Sequence, residues 1–430
     1  MVTGLLIFLI YTAVFIFILY RLSLKKSFAL SFKESTLVFI LKIAAGCFYG
    51  YFFLHLSQSD HDTWLYHQQG LEQYALLKKD PLHFFINDII PKGYKSNQLL
   101  TIFNSNESFA KDLELTLLLK LLALFDLLSG GRYYINVIFY DGLVFWGSYF
   151  LFKTFNKKFP EKRTLWLLFI FYFPPLLFWS SGIRKDGLCF AVLCGLIYQL
   201  YCLFEVKISF KRIIYFCILF LVLFLIRNYI ALSFVPILIA YALSKKIKKF
   251  SLAIFCAVAS SCGMIFFLTT FCSNGFNLPL KMAERQHAFL QLSGNSYLPI
   301  DTLQQNIASY TKILPTALNH VFLRPYIYEA QGILYILSFL EVIFFCYLLV
   351  RVIFKPCADF KKLISDPLLL SVTFLALFNY IIIGYTVPFL GAILRYKASF
   401  EILFILVFLQ LQKTNSGKNI FLSRINRFIE

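Results

Sequence analysis

Charged residues break into the apolar runs of this chain at a few places, and their types suit the handling of an anion. The stretch FYFPPLLFWSSGIRKDGLCF, residues 171–190, sets Arg184, Lys185 and Asp186 between two such runs. A guanidinium can clamp a phosphate through two parallel hydrogen bonds, while an ammonium adds a point charge. The Ser and Gly residues of SSGIRKDG free backbone N–H groups where a helix begins, which favours an anion there. An ordinary turn, with Asp186 neutralising its neighbours, is the bland alternative. Arg227, in LIRNYIALSF, separates apolar runs of about 14 and 16 residues, and about 14 residues rise only about 21 Å. That falls short of a hydrocarbon core of about 30 Å, so the turn is expected to dip into a water-filled cavity. Snorkelling to the headgroups is the alternative.

Two later segments repeat the theme. GAILRYKASFEILF, residues 391–404, places Arg395 and Lys397 near the start of an apolar run with Glu401 deeper in it. An Arg inside a membrane needs a partner, here either Glu401 or a ligand phosphate. HVFLRPYIYEAQG, residues 320–332, brings Arg324 and Glu329 back toward the membrane, for ligand contact or for anchoring. The acidic counterpart is HLSQSDHDTWLYHQQGLEQY, residues 55–74, with Asp60, His61, Asp62, His67 and Glu72. Carboxylates one residue apart, as Asp60 and Asp62 are, can share a divalent cation such as Mg or Mn, or one can deprotonate an acceptor hydroxyl. Trp64, Tyr66 and Tyr74 suit stacking on a sugar or anchoring at headgroups. A helix start, with Asp60 or Asp62 as N-cap, also explains the acids.

The elements that must position these residues are membrane spans. Of 430 residues, 59% are hydrophobic and 15% charged, which no ordinary soluble domain shows. The apolar runs are continuous, which excludes an alternating β-barrel pattern. An all-α, polytopic fold of about eleven spans is expected, near 3–20, 36–54, 134–152, 164–180, 187–205, 213–226, 229–244, 251–271, 333–350, 367–386 and 390–411. Lys and Arg cluster in alternate connectors, from Arg21/Lys25/Lys26/Lys33 to the tail after Lys413. The positive-inside rule makes that side cytoplasmic, with the amino terminus outside and the carboxyl terminus inside. The net charge of +19 is thereby a topology signal and not a mark of nucleic-acid binding. Most of the ten cysteines lie inside apolar runs and read as small hydrophobes. The first run lacks a basic start and a cleavage site, so it reads as a retained span.

Residues 1–430 then form a single integral membrane domain with two long outward connectors, 55–133 and 272–332. The first contains LELTLLLKLLALFDLL, residues 113–128, where Glu114, Lys120 and Asp126 favour a helix lying at the interface. The second contains KMAERQHAFLQL, residues 281–292, a short amphipathic helix.

Many spans, a first outer loop opening on acids, and basic residues on later outer turns together resemble the GT-C class of membrane glycosyltransferases. FPPLLFWSSGIRKDG, RPYIYEA and GAILRYK are similar to segments of bacterial multispan proteins grouped with such enzymes. The resemblance implies a polyprenyl-(pyro)phosphate-linked sugar as donor, a glycan or lipid acceptor, and a bacterial inner-membrane location. It also implies a catalytic carboxylate at Asp60 or Asp62, which could also contribute to a metal site. Donor-phosphate contacts would come from Arg184, Arg227 and Arg395. With the residue readings above, the expected substrate-binding set is Arg184, Lys185, Arg227, Arg395, Lys397, Trp64, Tyr66 and Arg324. A polysaccharide polymerase, or a transporter or flippase of lipid-linked glycans, remains as an alternative.

Overall fold

The computed structural model describes residues 2–56, 62–86, 89, 109–272, 276–292, 294, 296–329 and 332–413. Among them the regular secondary structure is helical, apart from isolated β-bridges joining Tyr297 to Phe389 and Pro356 to Gln412. The α-helices of six residues or more are α1 (Val2–Ser23), α2 (Phe32–His55), α3 (Asp62–Lys79), α4 (Pro81–Ile86), α5 (Phe109–Ser129) and α6 (Tyr133–Lys158). They continue with α7 (Arg163–Tyr172), α8 (Pro174–Ser181), α9 (Lys185–Tyr201), α10 (Phe210–Ile226), α11 (Asn228–Lys246) and α12 (Ser251–Leu268). The last five are α13 (Leu278–Leu290), α14 (Ile307–Phe322), α15 (Ile333–Phe354), α16 (Pro367–Thr386) and α17 (Leu390–Leu411).

Among the described residues, eight helices are long and apolar enough to cross a membrane, or nine if the pair α7–α8 forms one span. This is a helical membrane protein. The expected run 164–180 is thus a broken helix, bent by 43° where Pro174 cannot continue the hydrogen-bond ladder of α7. The remaining two of the eleven expected runs are helical as well. However, α10 has only 17 residues, and α17 carries Arg395, Lys397 and Glu401 among its 22. The described part of the first loop holds α3, α4 and α5, and that of the second holds α13 and α14. Both amphipathic helices read from the sequence are therefore present, as 109–129 and 278–290.

Apolar side chains gain little by leaving lipid for one another, so packing here depends on close approach and polar ties. The central pair is α6 and α9. A Cβ on Gly147 of α6 would run into the backbone of Ala191 on α9, so only glycine permits that approach. The other half of the bundle is organised by α16, which packs on α11, α14 and α17.

Charged ties close the end of the bundle that bears the basic connectors. Ser31 and Glu34 form a capping box at the start of α2, and Arg163 grips the Glu34 carboxylate at 2.7 and 2.6 Å. The Lys162 ammonium donates to the carbonyls of Leu409 and Gln410 at 2.7 and 2.8 Å, sealing the last turn of α17. Lys158 and Lys245 share Glu205, at 3.3 and 2.5 Å. The opposite end, where α3, α5, α13 and α14 gather, carries the site.

Candidate functional site

Three connections bring arginines together at the loop-bearing end. Arg184 is the N-cap of α9, Arg227 is the single residue between α10 and α11, and Arg395 lies one turn into α17. They converge on Asp186, in the first turn of α9, where the helix dipole also favours a carboxylate. Asp186 Oδ1 accepts from Arg227 Nη2 at 2.5 Å, while its Oδ2 lies 3.6 Å from Arg395 Nε and 3.9 Å from Arg184 Nε. A second carboxylate, Asp62, arrives on the first turn of α3. Its Oδ2 accepts from Arg184 Nη2 at 2.5 Å and lies 3.8 Å from Arg395 Nη1.

The two acids differ in access. The Asp186 side chain is 11% exposed and that of Arg184 3%, whereas Asp62 is 42% exposed. Asp186 is therefore a fixed strut beneath the arginines, and Asp62 lies over them at the mouth. The floor is held from below. Tyr49 accepts from Arg184 Nη1 at 2.9 Å, and Tyr140 donates to the Arg184 carbonyl. Gly187 leaves room for the Tyr140 hydroxyl, which a Cβ there would strike.

Aromatic rings complete the wall. The guanidinium groups of Arg227 and Arg395 lie 4.7 and 4.8 Å from the centre of the Tyr396 ring. Arg285, from α13, lies over Tyr229 at 4.3 Å, and Tyr229 Oη is 3.2 Å from Arg227 Nη1. Beside the arginines, Lys185 pairs with Glu114 of α5 at 3.2 Å. Leaving aside that neutral pair, three guanidinium groups face two carboxylates, with Arg285 behind Tyr229. The site has a surplus of positive charge.

Most of the expected residues meet here. Arg184, Lys185, Arg227, Arg395 and Asp62 are in or beside the cluster. Tyr66 stands one turn along α3 from Asp62; burial, with the Asp62 carboxylate next, pushes its phenol up, so it remains a neutral donor. Asp60 and His61 lie outside the described residues. Among the described residues no group of three or more His, Cys, Asp or Glu side chains is placed to hold a metal. A divalent cation at Asp62 would sit against Arg184 and Arg395, so the donor set favours an anion over Mg or Mn.

Three expected residues are placed otherwise. Lys397 points away from the cluster, buried 3.9 Å from Glu401 and 3.5 Å from the Val321 carbonyl. Glu401 thus partners Lys397, one helical turn away, and not Arg395. Arg324 is held in its own loop by Glu329 at 2.6 Å, with Tyr326 beside it. Trp64 is occupied structurally: its Nε1 donates to the Gly50 carbonyl at 2.9 Å and its ring stacks on Tyr133 at 4.1 Å. The helices flanking Arg227 are 17 and 19 residues long; α10 still rises only about 26 Å, short of a hydrocarbon core of about 30 Å. Asp186, Tyr229 and Tyr396 pack around the Arg227 guanidinium.

Arg324 has a further effect. His320, on α14, is 1% exposed; burial and then the nearby Arg324 charge push its pKa down to about 4. Its folded pKa lies below the unfolded value of about 6.5, so the unfolded chain binds the proton first. Stability is then expected to fall as pH drops from about 6.5 toward about 4. Thermal unfolding in detergent across that range should show a shallower acid slope in His320→Gln than in the parent.

No family model, curated protein or solved structure matches the chain.

Proposed function

We propose that the protein is a glycosyltransferase acting at the outer face of a bacterial inner membrane, moving a sugar from a polyprenyl-(pyro)phosphate donor to a glycan or lipid acceptor. The observation that carries this reading is the convergence of Arg184, Arg227 and Arg395 on two carboxylates, one fixed and one at the mouth. In this reading the loops face outward and the basic connectors face the cytoplasm, as the charge distribution of the connectors favours.

The geometry supports an exchange mechanism. A donor phosphate brings its own negative charge to Arg184 and Arg395 and takes the place of Asp62 on them, while Asp186 keeps the guanidinium groups aligned. Asp62, released at the exposed mouth, accepts the proton of the acceptor hydroxyl. The acceptor oxygen attacks the anomeric carbon with inversion, and the bond from that carbon to the phosphate oxygen breaks. The electron pair stays on the leaving phosphate. The largely buried arginines stabilise the charge that develops there.

The test is transfer of labelled sugar from a polyprenyl-linked donor by the purified chain in proteoliposomes. Asp62→Asn, Asp60→Asn and the double variant separate the two acids. Loss of turnover in Asp62→Asn, with donor binding retained, is expected; wild-type turnover in all three rejects a carboxylate base from this loop.

A polysaccharide polymerase shares the donor chemistry, and the surplus of guanidinium groups, with Arg285 from the second loop, suits two phosphate-bearing chains. Single-repeat glycans accumulating in a deletion strain would favour that assignment.

A further inference from the structure

Two carboxyls meet in the middle of the bundle, away from the arginine cluster. Glu341 follows Ile333, the first residue of α15, and Glu401 follows Leu390, the first of α17. At about 1.5 Å per residue they lie about 12 and 16 Å down their helices, near the centre of a hydrocarbon core of about 30 Å. The two helices run parallel in matched register. Phe345 meets Phe404 and Phe408 with ring centres 6.0 and 5.3 Å apart, and Gln412 Nε2 donates to the Leu348 carbonyl at 2.9 Å. One turn back toward the loop-bearing end, that register sets Glu341 within hydrogen-bonding reach of Glu401.

The pair is enclosed and short of positive charge. Glu341 is 8% exposed and Glu401 1%, and among the described residues Oε1 of Glu341 and Oε2 of Glu401 accept no hydrogen bond. Lys397 stands one turn above, 3.9 Å from Glu401 Oε2 and 3.5 Å from the Val321 carbonyl of α14. His320 is next to that carbonyl and Arg324 just beyond the end of α14. From α16 the Tyr380 phenol comes near both acids. Phe322, Phe345 and Phe404 pack around the Tyr380 ring and one another, with centres 4.9 to 6.0 Å apart. Two carboxylates against one ammonium would leave a net negative charge among these rings, which is costly. Carboxyls in contact do not both ionise readily. A metal ion fits poorly as the missing charge, because the Lys397 ammonium already takes up the carbonyl and the Glu401 oxygen that would ligate it.

We infer that Glu341 and Glu401 form a proton-binding site, with one proton held between the two carboxyls, and that this proton latches α15 to the bundle. Among the helices α15 packs chiefly on α17 and is otherwise mostly exposed. Loss of the proton therefore sets like charges across the main contact that holds α15. The site stands apart from the proposed transfer reaction and does not depend on it.

Infrared spectroscopy of the detergent-purified full chain reads the proton directly, as the carbonyl stretch of a protonated carboxyl. Glu341→Gln and Glu401→Gln each keep the side-chain shape and leave one acid to pair with Lys397; using both guards against one failing to fold. Either variant is expected to lose one carboxyl's worth of that band at neutral pH. Unfolding in detergent gives a second readout. The folded pair keeps a proton that the unfolded chain releases, so stability falls as pH rises. Between about pH 7 and 8.5, above the His320 range, the parent's folding constant should fall about tenfold per pH unit more than that of either variant. An equal band in the parent and both variants, or equal pH slopes, overturns the site. Stabilisation of the parent, and not of the variants, by sodium chloride over choline chloride assigns the charge to a metal ion and also overturns it.

Discussion

Arg184→Ala is expected to lower transfer by about 100- to 1,000-fold, the range found when a preorganised donor to developing charge is removed. The side chain is 3% exposed and already aligned by Tyr49 and Asp62, so little reorganisation is needed when charge moves onto the phosphate. Arg184→Lys keeps a cation but loses the fork that spans two oxygens, and should recover only part of the rate. The loss should fall on both kcat and donor affinity, because the same group binds the phosphate and stabilises it on departure. Asp186→Asn should act differently, disordering three arginines at once and raising KM more than it lowers kcat. Steady-state kinetics in proteoliposomes, with thermal unfolding as a folding control, distinguishes these outcomes. An Arg184→Ala enzyme with unchanged kcat/KM places the phosphate elsewhere.

The second large effect concerns a pair beneath the site. Lys42 of α2 is fully enclosed, with Asp141 of α6 at 3.9 Å and the hydroxyls of Ser180 and Ser181 at 2.9 and 3.1 Å. These serines end α8 and lead directly into the turn that delivers Arg184. Lys42→Met strands the Asp141 carboxylate in the bundle and is expected to cost about 3–5 kcal/mol. The double variant Lys42→Met with Asp141→Asn removes both charges and should recover most of that loss. Thermal unfolding in detergent reads the stability, and donor binding reports whether the turn has shifted. A single variant as stable as the parent shows that the pair holds nothing in place.

Much of this was legible in the sequence, for identifiable reasons. Apolar runs bounded by basic clusters fixed most helix positions to within a few residues, since a membrane imposes both the length and the flanking charge. Arg184, Arg227, Arg395 and Asp62 stood out because a charge beside an apolar run needs a partner. The error over Lys397 was avoidable. Residues two apart on a helix lie on nearly opposite faces, so Arg395 and Lys397 could not both enter one pocket. By the same geometry Glu401, four residues on, belonged to Lys397.

Other contributors gave no local signal. Asp186 read as a neighbour's counter-ion, whereas it binds Arg227 from a different helix. Arg285 sat in an amphipathic segment whose docking onto Tyr229 depends on how the second loop folds over the bundle. Tyr49, Tyr140 and Tyr396 looked like any other aromatic residues in a chain that is 19% aromatic. Their roles come from the packing of α2, α6 and α17, which hydropathy does not encode.

The carboxylates that neutralise Arg395 reside at positions 62 and 186, both synthesised well before the helix that carries it. A nascent segment 390–411 would meet the translocon with two cations and one acid, each costing about 2.5–3.5 kcal/mol at the centre of a bilayer. Its entry into lipid is thus tied to the earlier part of the polypeptide having already assembled, and a ribosome-bound fragment deprived of that part would leave this final segment unintegrated. The order of biosynthesis is, in this sense, built into the wiring of the charges.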